Sequence, residues 1–328
     1  MTYIAGDLAS KSSSADLEAK SPFSCKWQME LQDLNPESVD PLFNALKDAF
    51  KGGSLFWPKK APHISFICGA APGTEGNYRD QFLDFHSKLP STEQLLAISA
   101  EATFNKLREH SDNPYNLAKL EELIAEISHS VIIFSESPGS LAELGYFSAI
   151  KEIRKKSLVV IKINHQGTSF VVDGPAALIS QESIFKPGKI IIADGATEMA
   201  FRTIIDSIVP HRKEKSKRLK IENQDSFKNY STRERFFILR ELIKALHPLR
   251  IKELTHTITK IFGAYDINDI HQLLAALMAL EDKVTIDEDG WLVANYQNSF
   301  LESNFDEVRT IAFDIYSREM RERLDRGI

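Results

Sequence analysis

The sequence VIIFSESPGSLAELGYF at residues 131–147 decides the predicted fold. Its first four residues are aliphatic or aromatic, and such a continuous run is typical of a strand buried on both faces of a parallel sheet. A short loop at 135–140 follows, and a helix is predicted over 141–155. Because open α/β sheets bind ligands at the carboxyl ends of their strands, we expect this loop to lie at a binding crevice.

The same alternation of strand and helix extends over the first 200 residues or so. Apolar strands that alternate with helices indicate an α/β fold, in which helices cover both faces of a parallel sheet. The predicted strands are 64–68, 95–99, 130–135, 158–163 and 189–193, and the predicted helices are 37–50, 79–89, 117–127 and 141–155.

The pattern changes after residue 208, where three helices precede a β-hairpin. Three helices followed by a hairpin of about ten residues is the element order of a winged helix-turn-helix. A final helix at 305–326 has a narrow apolar stripe, which suits packing on a partner or on a second copy of the chain. The three helices are 233–246, 251–263 and 267–280, the hairpin strands are 284–286 and 291–293, and the stripe is Val308, Ile311, Ala312, Ile315 and Met320.

Length and composition favour two domains. The chain has 328 residues, and a domain contains roughly 150. Residues 9–22 are rich in serine and charge, which is typical of a flexible tail. The predicted division is a tail at 1–22, an α/β domain at 23–209, a basic linker at 210–231, and a winged-helix domain with the C-terminal helix at 232–328.

The composition excludes several classes of protein. A net charge of −6 argues against a wholly basic nucleic-acid coat. The longest apolar run, 273–280, is too short to span a membrane, and the first residues lack a secretory signal pattern. Two cysteines, Cys25 and Cys68, are too few for a disulfide framework. We therefore expect a soluble cytoplasmic protein.

The loop at 135–140 has residues suited to ligand binding. Gly139 allows close approach to the backbone, and the N–H groups of the next helical turn, with Ser140, suit a phosphate or sugar hydroxyls. Glu143 follows three residues later, so its carboxylate can reach back over the loop. Ser140 and Glu143 also match the S-x-x-E capping box, and the spacing alone leaves both interpretations open.

The motif in this region resembles a known superfamily. SESPGSLAELGYF is similar to the catalytic segment of the nucleoside 2-deoxyribosyltransferase-like superfamily, where a Ser/Gly loop and a Glu-Leu-Gly triplet bind the sugar and cleave its N-glycosidic bond. More closely, ESPGS-x-x-ELG-x-FS resembles the ribosyltransferase-like effectors of type II-A retrons, which carry a C-terminal winged helix. Residues 64–82 and the helix 117–127 resemble that family less sharply.

The resemblance implies roles for residues at matching positions. Glu143, the acid of the triplet, would attack or stabilise the anomeric carbon, because an oxocarbenium-like centre needs a nearby carboxylate. Glu101 and Glu121 are either secondary acids of the site or ordinary carboxylates on a helix face. The implied substrate-binding residues are Gly69, Gly73, Tyr78, Arg79, Glu136, Ser137, Gly139 and Ser140.

Three of these residues have both an implied role and an ordinary one. Arg79 would hold a phosphate or the base, or it is a surface residue. Tyr78 would stack on a base, or it only packs. Glu136 would bind ribose hydroxyls, or it is a solvated loop acid.

Other ligand-binding chemistry lacks its sequence signature. No G-x-G-x-x-G follows a strand, and there is no G-x-x-x-x-G-K-[ST] loop, so dinucleotide oxidoreductases and P-loop ATPases are not indicated. The H-E-x-x-H and Gly-x-Ser-x-Gly motifs are absent as well. We expect no metal and no cofactor, and the resemblance implies NAD+ as a substrate.

The C-terminal half has a weaker signal for nucleic acid. The third helix has few basic residues and the hairpin turn 287–290 is acidic, whereas phosphate contacts need Lys or Arg. Contact with a protein or a ribonucleoprotein is therefore favoured over reading of free DNA. The linker suits a nucleic-acid backbone, or it is an ordinary solvated charge run. Its basic residues are Arg212, Lys213, Lys215, Lys217, Arg218 and Lys220.

The resemblance also implies a biological role. It predicts a toxic effector of retron antiphage defence that hydrolyses NAD+ to nicotinamide and ADP-ribose. The retron reverse transcriptase and its branched RNA–DNA (msDNA) would hold the effector inactive, in a homo-oligomer or filament and without membrane contact. Two alternatives remain: a nucleoside or ADP-ribosyl transferase acting on nucleotides or DNA, and a non-catalytic winged-helix regulator that senses a nucleotide.

Overall fold

The computed structural model describes residues 30–58, 63–110, 116–163, 169–193, 195–212, 219–280, 284–294, 299–321 and 324. The predicted tail at 1–22 and the linker residues 213–218 lie outside them. The described helices α1 to α13 are Pro36–Lys51, Tyr78–Ser87, Ala100–His110, Leu117–Ile127, Pro138–Ala149, Lys151–Arg154, Phe170–Asp173, Pro175–Glu182, Thr197–Ile208, Thr232–Leu246, Ile251–Phe262, Ile267–Ala279 and Phe305–Glu319. The described strands β1 to β10 are Phe56–Trp57, Ile64–Cys68, Leu96–Ile98, Ser130–Phe134, Ser157–Lys162, Lys189–Ile192, Leu219–Lys220, Leu249–Arg250, Val284–Ile286 and Trp291–Ala294.

A five-stranded sheet forms the centre of the first half, in the order β3-β2-β4-β5-β6. Neighbouring strands run parallel, and Ile132 of β4 pairs with Ile67 of β2 and Leu158 of β5. Every residue of β2 and β4 is buried, because helices cover both faces of the sheet. The predicted α/β fold with a parallel sheet is therefore confirmed.

Aromatic side chains attach the helices to both faces of the sheet. On one face, the ring of Phe82 in α2 lies 5.6 Å from that of Phe134 in β4 and 5.5 Å from that of Phe201 in α9. On the other face, Phe147 of α5 lies 5.9 Å from Phe66 of β2. This packing fixes α2 and α5 beside the carboxyl ends of β2 and β4, where the candidate site lies.

The second half has the element order α10-β8-α11-α12-β9-β10. Strand β10 is central in a three-stranded antiparallel sheet ordered β8-β10-β9. The Asp287 carboxylate closes the predicted hairpin turn by accepting hydrogen bonds from the N–H groups of Asp289 and Trp291, at 3.0 and 2.8 Å. Gly290 completes the turn with a φ of 82°, a conformation that favours glycine.

Helices α1 and α13 pack together, which changes two expectations. Helix α1 contacts α11 and α13, although the predicted division at 23–209 grouped it with the sheet. The stripe on α13 packs on α1 and α10 of the same chain, and Val308, its first residue, is fully buried. The prediction that this stripe packs on a partner or second copy is therefore wrong.

The two halves of the chain share one apolar core. Helix α3 packs along α12, and α4 packs on α10. Helix α1 has 16 residues, and none of the helices described above combines the length and apolar character needed to cross a membrane.

Candidate active site

The loop after β4 leads directly into α5, which begins at Pro138. The Ser137 hydroxyl accepts a hydrogen bond from the N–H of Ser140 at 3.1 Å, and the Ser140 hydroxyl accepts one from the N–H of Ser137 at 3.0 Å. This reciprocal pair is the capping box of α5. The alternative pairing of Ser140 with Glu143 is therefore not formed, and Glu143 is not needed to start the helix.

Glu143 lies in the second turn of α5 and is half-buried. Its Oε2 atom is buried, and no described group hydrogen-bonds to it. Burial, followed by the charges of Glu121 and Glu101, raises the pKa of Glu143 to about 7. A hydrogen bond with Cys68 and the charge of Arg79 act in the opposite direction and lower this pKa. A buried carboxylate oxygen without a partner at a strand-end crevice is typical of a functional group.

Three helices bring three acids to this place. Glu101 lies in the first turn of α3, Glu121 on α4 and Glu143 on α5, and we refer to them as the carboxylate cluster. Burial and then the charge of Glu101 raise the pKa of Glu121. The charges of Glu121 and Glu101 both disfavour the ionised form of Glu143.

Cys68 is a functional candidate that the sequence interpretation missed. It is the last residue of β2, is buried, and is not in a disulfide. Burial, followed by the charge of Glu143, raises the pKa of its thiol well above the usual value, so the thiol is neutral beside the cluster. The sequence feature that could have identified Cys68 is its position at the carboxyl end of a predicted strand.

Glu136 binds backbone amides. Its Oε2 accepts a hydrogen bond from the N–H of Tyr78 at 2.7 Å, and its Oε1 accepts from Ala70 and Arg79, both at 3.2 Å. Tyr78 and Arg79 begin α2, so the carboxylate neutralises the positive end of that helix. Glu136 thereby connects the loop after β4 to the loop after β2, and neither of the two roles considered from the sequence describes this contact.

Arg79 is buried, with 2% of its side chain exposed. Its Nη1 donates to Oε1 of Glu101 at 2.7 Å. The expectation of a surface arginine is therefore wrong, and the guanidinium faces a carboxylate of the cluster.

Tyr78 and Lys162 contact each other at the carboxyl edge of the sheet. Tyr78 is half-buried, and the Nζ atom of Lys162 lies 4.8 Å from the centre of its ring. Lys162 ends β5, so its ammonium group is at the carboxyl edge of the sheet. Sequence reasoning did not select this lysine, although it is the charged end of an apolar strand.

Three glycines of the predicted site differ in their surroundings. A Cβ atom on Gly69 would lie 2.7 Å from the Cβ of Arg79 and 2.9 Å from Oε1 of Glu136, so glycine is required there. Gly73 has a φ of 77°, and its N–H donates to Asp80 at 2.7 Å. At Gly139 the nearest described atom would be 3.8 Å away, which leaves room for a ligand against the backbone.

The residues predicted to contact nucleic acid are described at two positions. Arg212 donates to the carbonyl oxygen of Thr92 at 3.2 Å, and Lys220 is exposed on β7. The other four, Lys213, Lys215, Lys217 and Arg218, lie outside the described residues.

Helix α12, the third helix of the second half, is largely covered. Within it, Ile267 and Asn268 at its start are exposed, and the remaining residues are buried or half-buried. Asp269 forms an ion pair with Arg235 of α10 at 3.2 Å. The helix packs on α3, so its surface is occupied by the first half of the chain.

A cavity of about 620 Å³ lies at the opposite, amino edge of the sheet. Its cations Lys156 and Arg233 are already engaged, because both donate to backbone carbonyl oxygens at the end of α4. Such contacts stabilise the negative end of a helix. The carboxylate cluster, and not this cavity, therefore combines an unsatisfied polar atom, Oε2 of Glu143, with the strand-end position.

The fold and the site define an α/β protein that has a carboxylate cluster at the carboxyl edge of its sheet and a helical second half. The chain belongs to a family described as STM3845 retron effector protein, whose model matches residues 75–287, more than half of the chain. The match includes all three acids of the cluster.

Two proteins of Escherichia coli are similar to the chain. One, named "Retron Ec73 putative ribosyltransferase/DNA-binding protein", is 29% identical over 223 residues, which cover 63% of this chain and 69% of that protein. The other has the same description for retron Ec86 and is 30% identical over 115 residues, which cover 35% of this chain and 36% of that protein.

Proposed function

We propose that this retron effector is an N-glycosidase of the nucleoside 2-deoxyribosyltransferase-like type, which hydrolyses NAD+ to nicotinamide and ADP-ribose. The observation that carries the proposal is the buried Oε2 of Glu143, which has no partner among the described groups and lies at a strand-end loop. The ribosyltransferase names of the two relatives support glycosyl transfer in general. The Ser/Gly loop and the Glu-Leu-Gly triplet support this particular type.

Glu143 has the chemistry that the reaction needs. When the bond between C1′ and the nicotinamide nitrogen breaks, its electron pair leaves with neutral nicotinamide and positive charge develops at C1′. The ionised carboxylate of Glu143 stabilises this charge or bonds to C1′. Water then supplies the oxygen at C1′, which breaks the bond to the Glu143 carboxylate where one has formed, and the proton of the water passes to a carboxylate of the cluster.

The loops at the carboxyl edge hold the substrate in this proposal. The open space at Gly139 and the N–H groups of the first turn of α5 suit ribose hydroxyls or a phosphate. Ser137 and Ser140 shape that turn through their capping box. Tyr78, with Lys162 over its ring, offers an aromatic surface and a positive charge to a nucleotide.

The proposal extends to the partners of the effector. The protein is a toxic effector of a type II-A retron. The retron reverse transcriptase and its msDNA hold it inactive until phage infection, in an assembly that includes a homo-oligomer or filament. The second half acts as a winged-helix domain. Because α12 is covered by α3, that domain contacts a ribonucleoprotein through other surfaces, including the basic linker from Arg212 to Lys220.

A second candidate function is transfer of the ribosyl group to an acceptor other than water, which the names of the relatives favour. The discriminating experiment incubates the purified protein with NAD+ or deoxynucleosides, with and without an added free base. Hydrolysis releases nicotinamide and ADP-ribose whether or not base is added. Base exchange in place of hydrolysis would favour the transferase, and no product from any substrate would favour the nucleotide-sensing regulator.

We expect the rate of NAD+ cleavage to depend on pH through Glu143. Burial raises the pKa of this group to about 7, and the reaction needs its ionised form. Below that value, kcat/KM should fall about tenfold for each pH unit. The check is a profile of initial rates from pH 5 to 9, and a constant kcat/KM down to pH 5 would contradict the role of Glu143.

We expect the basic linker to set the salt dependence of msDNA binding. A variant in which glutamine replaces all six basic residues of the linker should bind msDNA more weakly. The slope of log K against log salt should become smaller by about 0.7–0.9 for each phosphate that the linker no longer neutralises. The six residues are Arg212, Lys213, Lys215, Lys217, Arg218 and Lys220. Binding is measured between 50 and 200 mM salt. The control replaces the exposed Lys88 and Lys106, and an unchanged slope in the linker variant would show that the linker is only a solvated charge run.

A further inference from the structure

Arg79 has surroundings that substrate binding does not explain. It is a cation with 2% of its side chain exposed, so it is not presented to a ligand in solvent. Its Nη1 donates to Glu101 at 2.7 Å, and Glu101 itself is 42% exposed. The pair therefore joins a buried, fixed guanidinium to a carboxylate that lies nearer to solvent.

Two neighbours fix the position of Arg79. A Cβ atom at position 69 would lie 2.7 Å from the Cβ and 3.1 Å from the Cδ of Arg79. Because Gly69 has no Cβ atom, the aliphatic part of the Arg79 side chain packs directly on the backbone. The carboxylate of Glu136 accepts the N–H of Arg79 at 3.2 Å and that of Tyr78 at 2.7 Å. The backbone and the side chain of Arg79 are thus both held by the loops after β2 and β4.

We propose that Arg79 is a positioning residue for the carboxylate cluster: its buried guanidinium holds Glu101 at the start of α3 and balances the negative charge around Glu143. In this role it contacts neither the substrate nor the reacting atoms. The inference rests on the proposed function in one respect, that Glu143 must be ionised to act. Glu136 and Gly69 contribute to this role because they hold Arg79 in place.

The groups that act on Glu143 come from four elements. Glu101 of α3 and Glu121 of α4 disfavour its ionised form, whereas Arg79 of α2 and the thiol of Cys68 in β2 favour it. Burial acts in the same direction as the two acids. Arg79 and Glu101 are therefore an ion pair whose members have opposite effects on Glu143, and this opposition can be measured.

The experiment measures the pKa of Glu143 through protein stability, so it does not depend on catalysis. In each background, the free energy of unfolding is measured with and without Glu143→Gln from pH 4 to 9. The slope of the difference against pH gives the difference in bound protons between the folded and unfolded states, and the midpoint of its upper step, near pH 7, reports the pKa of Glu143 in the folded protein. Arg79→Met should move the midpoint up by about one pH unit, and Glu101→Gln should move it down by a similar amount. Where the enzyme is active, the acid limb of its kcat/KM profile should move with the midpoint.

Two controls test whether charge at this position is responsible. Arg202→Met removes an arginine on α9 that also pairs with acids, and it should leave the midpoint unchanged. Arg79→Lys retains the charge and should restore the midpoint toward that of the unsubstituted protein. If Arg79→Met does not fold, Arg79→Gln takes its place: an upward shift of the midpoint supports the proposal, and an unchanged midpoint overturns it.

The outcomes separate this inference from the proposed function. Shifts in the same direction, or no shift, in Arg79→Met and Glu101→Gln would overturn the role of Arg79 even if Glu143→Gln abolishes catalysis. If the midpoint shifts in opposite directions in the two variants but the protein cleaves no N-glycoside, the role of Arg79 is supported and only the proposed reaction is contradicted.

Discussion

Replacing Glu143 with glutamine is expected to reduce N-glycoside cleavage by roughly 1,000-fold or more. Glutamine has nearly the same shape, but it has no negative charge to stabilise or capture the oxocarbenium-like centre. Toxicity in cells that lack the retron partners should disappear with the activity. Rates are measured with NAD+ in excess, and retained activity would contradict the assigned role.

The same substitution is expected to stabilise the folded protein at high pH. Burial raises the pKa of Glu143 from 4.5 to about 7, so the folded state binds more protons than the unfolded state between these values. Stability of the natural protein therefore falls as pH rises through this window. Glu143→Gln avoids this loss and should be more stable above pH 7 by up to roughly 3 kcal/mol.

Urea denaturation at pH 5 and pH 8 tests this stabilisation. The control is Glu288→Gln, which removes an exposed acid in the turn between β9 and β10. That variant should differ from the natural protein by the same amount at pH 5 and at pH 8. A stability difference for Glu143→Gln that does not grow with pH would show that Glu143 is an ordinary solvated carboxylate.

Replacing Gly69 with alanine is expected to destabilise the protein and to disrupt the site together. The new Cβ would lie 2.7 Å from the Cβ of Arg79 and 2.9 Å from Oε1 of Glu136, so the loop or α2 must move. Overpacking of this kind costs about 1–3 kcal/mol. Because the same atoms position Glu101, activity should fall by on the order of 100-fold.

Gly145→Ala is the matched control for stability. Gly145 lies inside α5, and a Cβ atom there would meet no described atom within 4 Å. Alanine should therefore stabilise the protein, by up to about 1 kcal/mol, through helix propensity. Thermal unfolding of both variants is the measurement, and a Gly69→Ala protein as stable as Gly145→Ala would refute the close packing of Arg79 on the backbone.

The sequence predicts the elements whose pattern is local. The strands 64–68 and 284–286 and the helix 117–127 match the structure at both ends. The sequence interpretation missed α3 and α9, which carry several polar residues between their apolar ones, and the two-residue strand β8, which exists only because it pairs with β10. Such elements depend on their tertiary partners.

The candidate site was predictable where the motif is local and not where it depends on folding. Glu143 and the loop at 137–140 are adjacent in sequence, so their pattern could be read directly. The contact of Glu136 with Tyr78 spans 58 residues, and that of Arg79 with Glu101 spans 22. No spacing rule specifies such contacts, which is why the positions of Arg79 and Glu136 were found only in the structure.

The most direct test of the central claim is release of nicotinamide by the purified protein without its retron partners. NAD+ is incubated at pH 8 with the natural protein and with the folded Glu143→Gln variant, and nicotinamide and ADP-ribose are quantified by chromatography and mass spectrometry. We predict equimolar release of both products by the natural protein and none above background by the variant. Equal release by both proteins, or none by either while another N-glycoside is cleaved, would contradict the proposed reaction of Glu143 with NAD+.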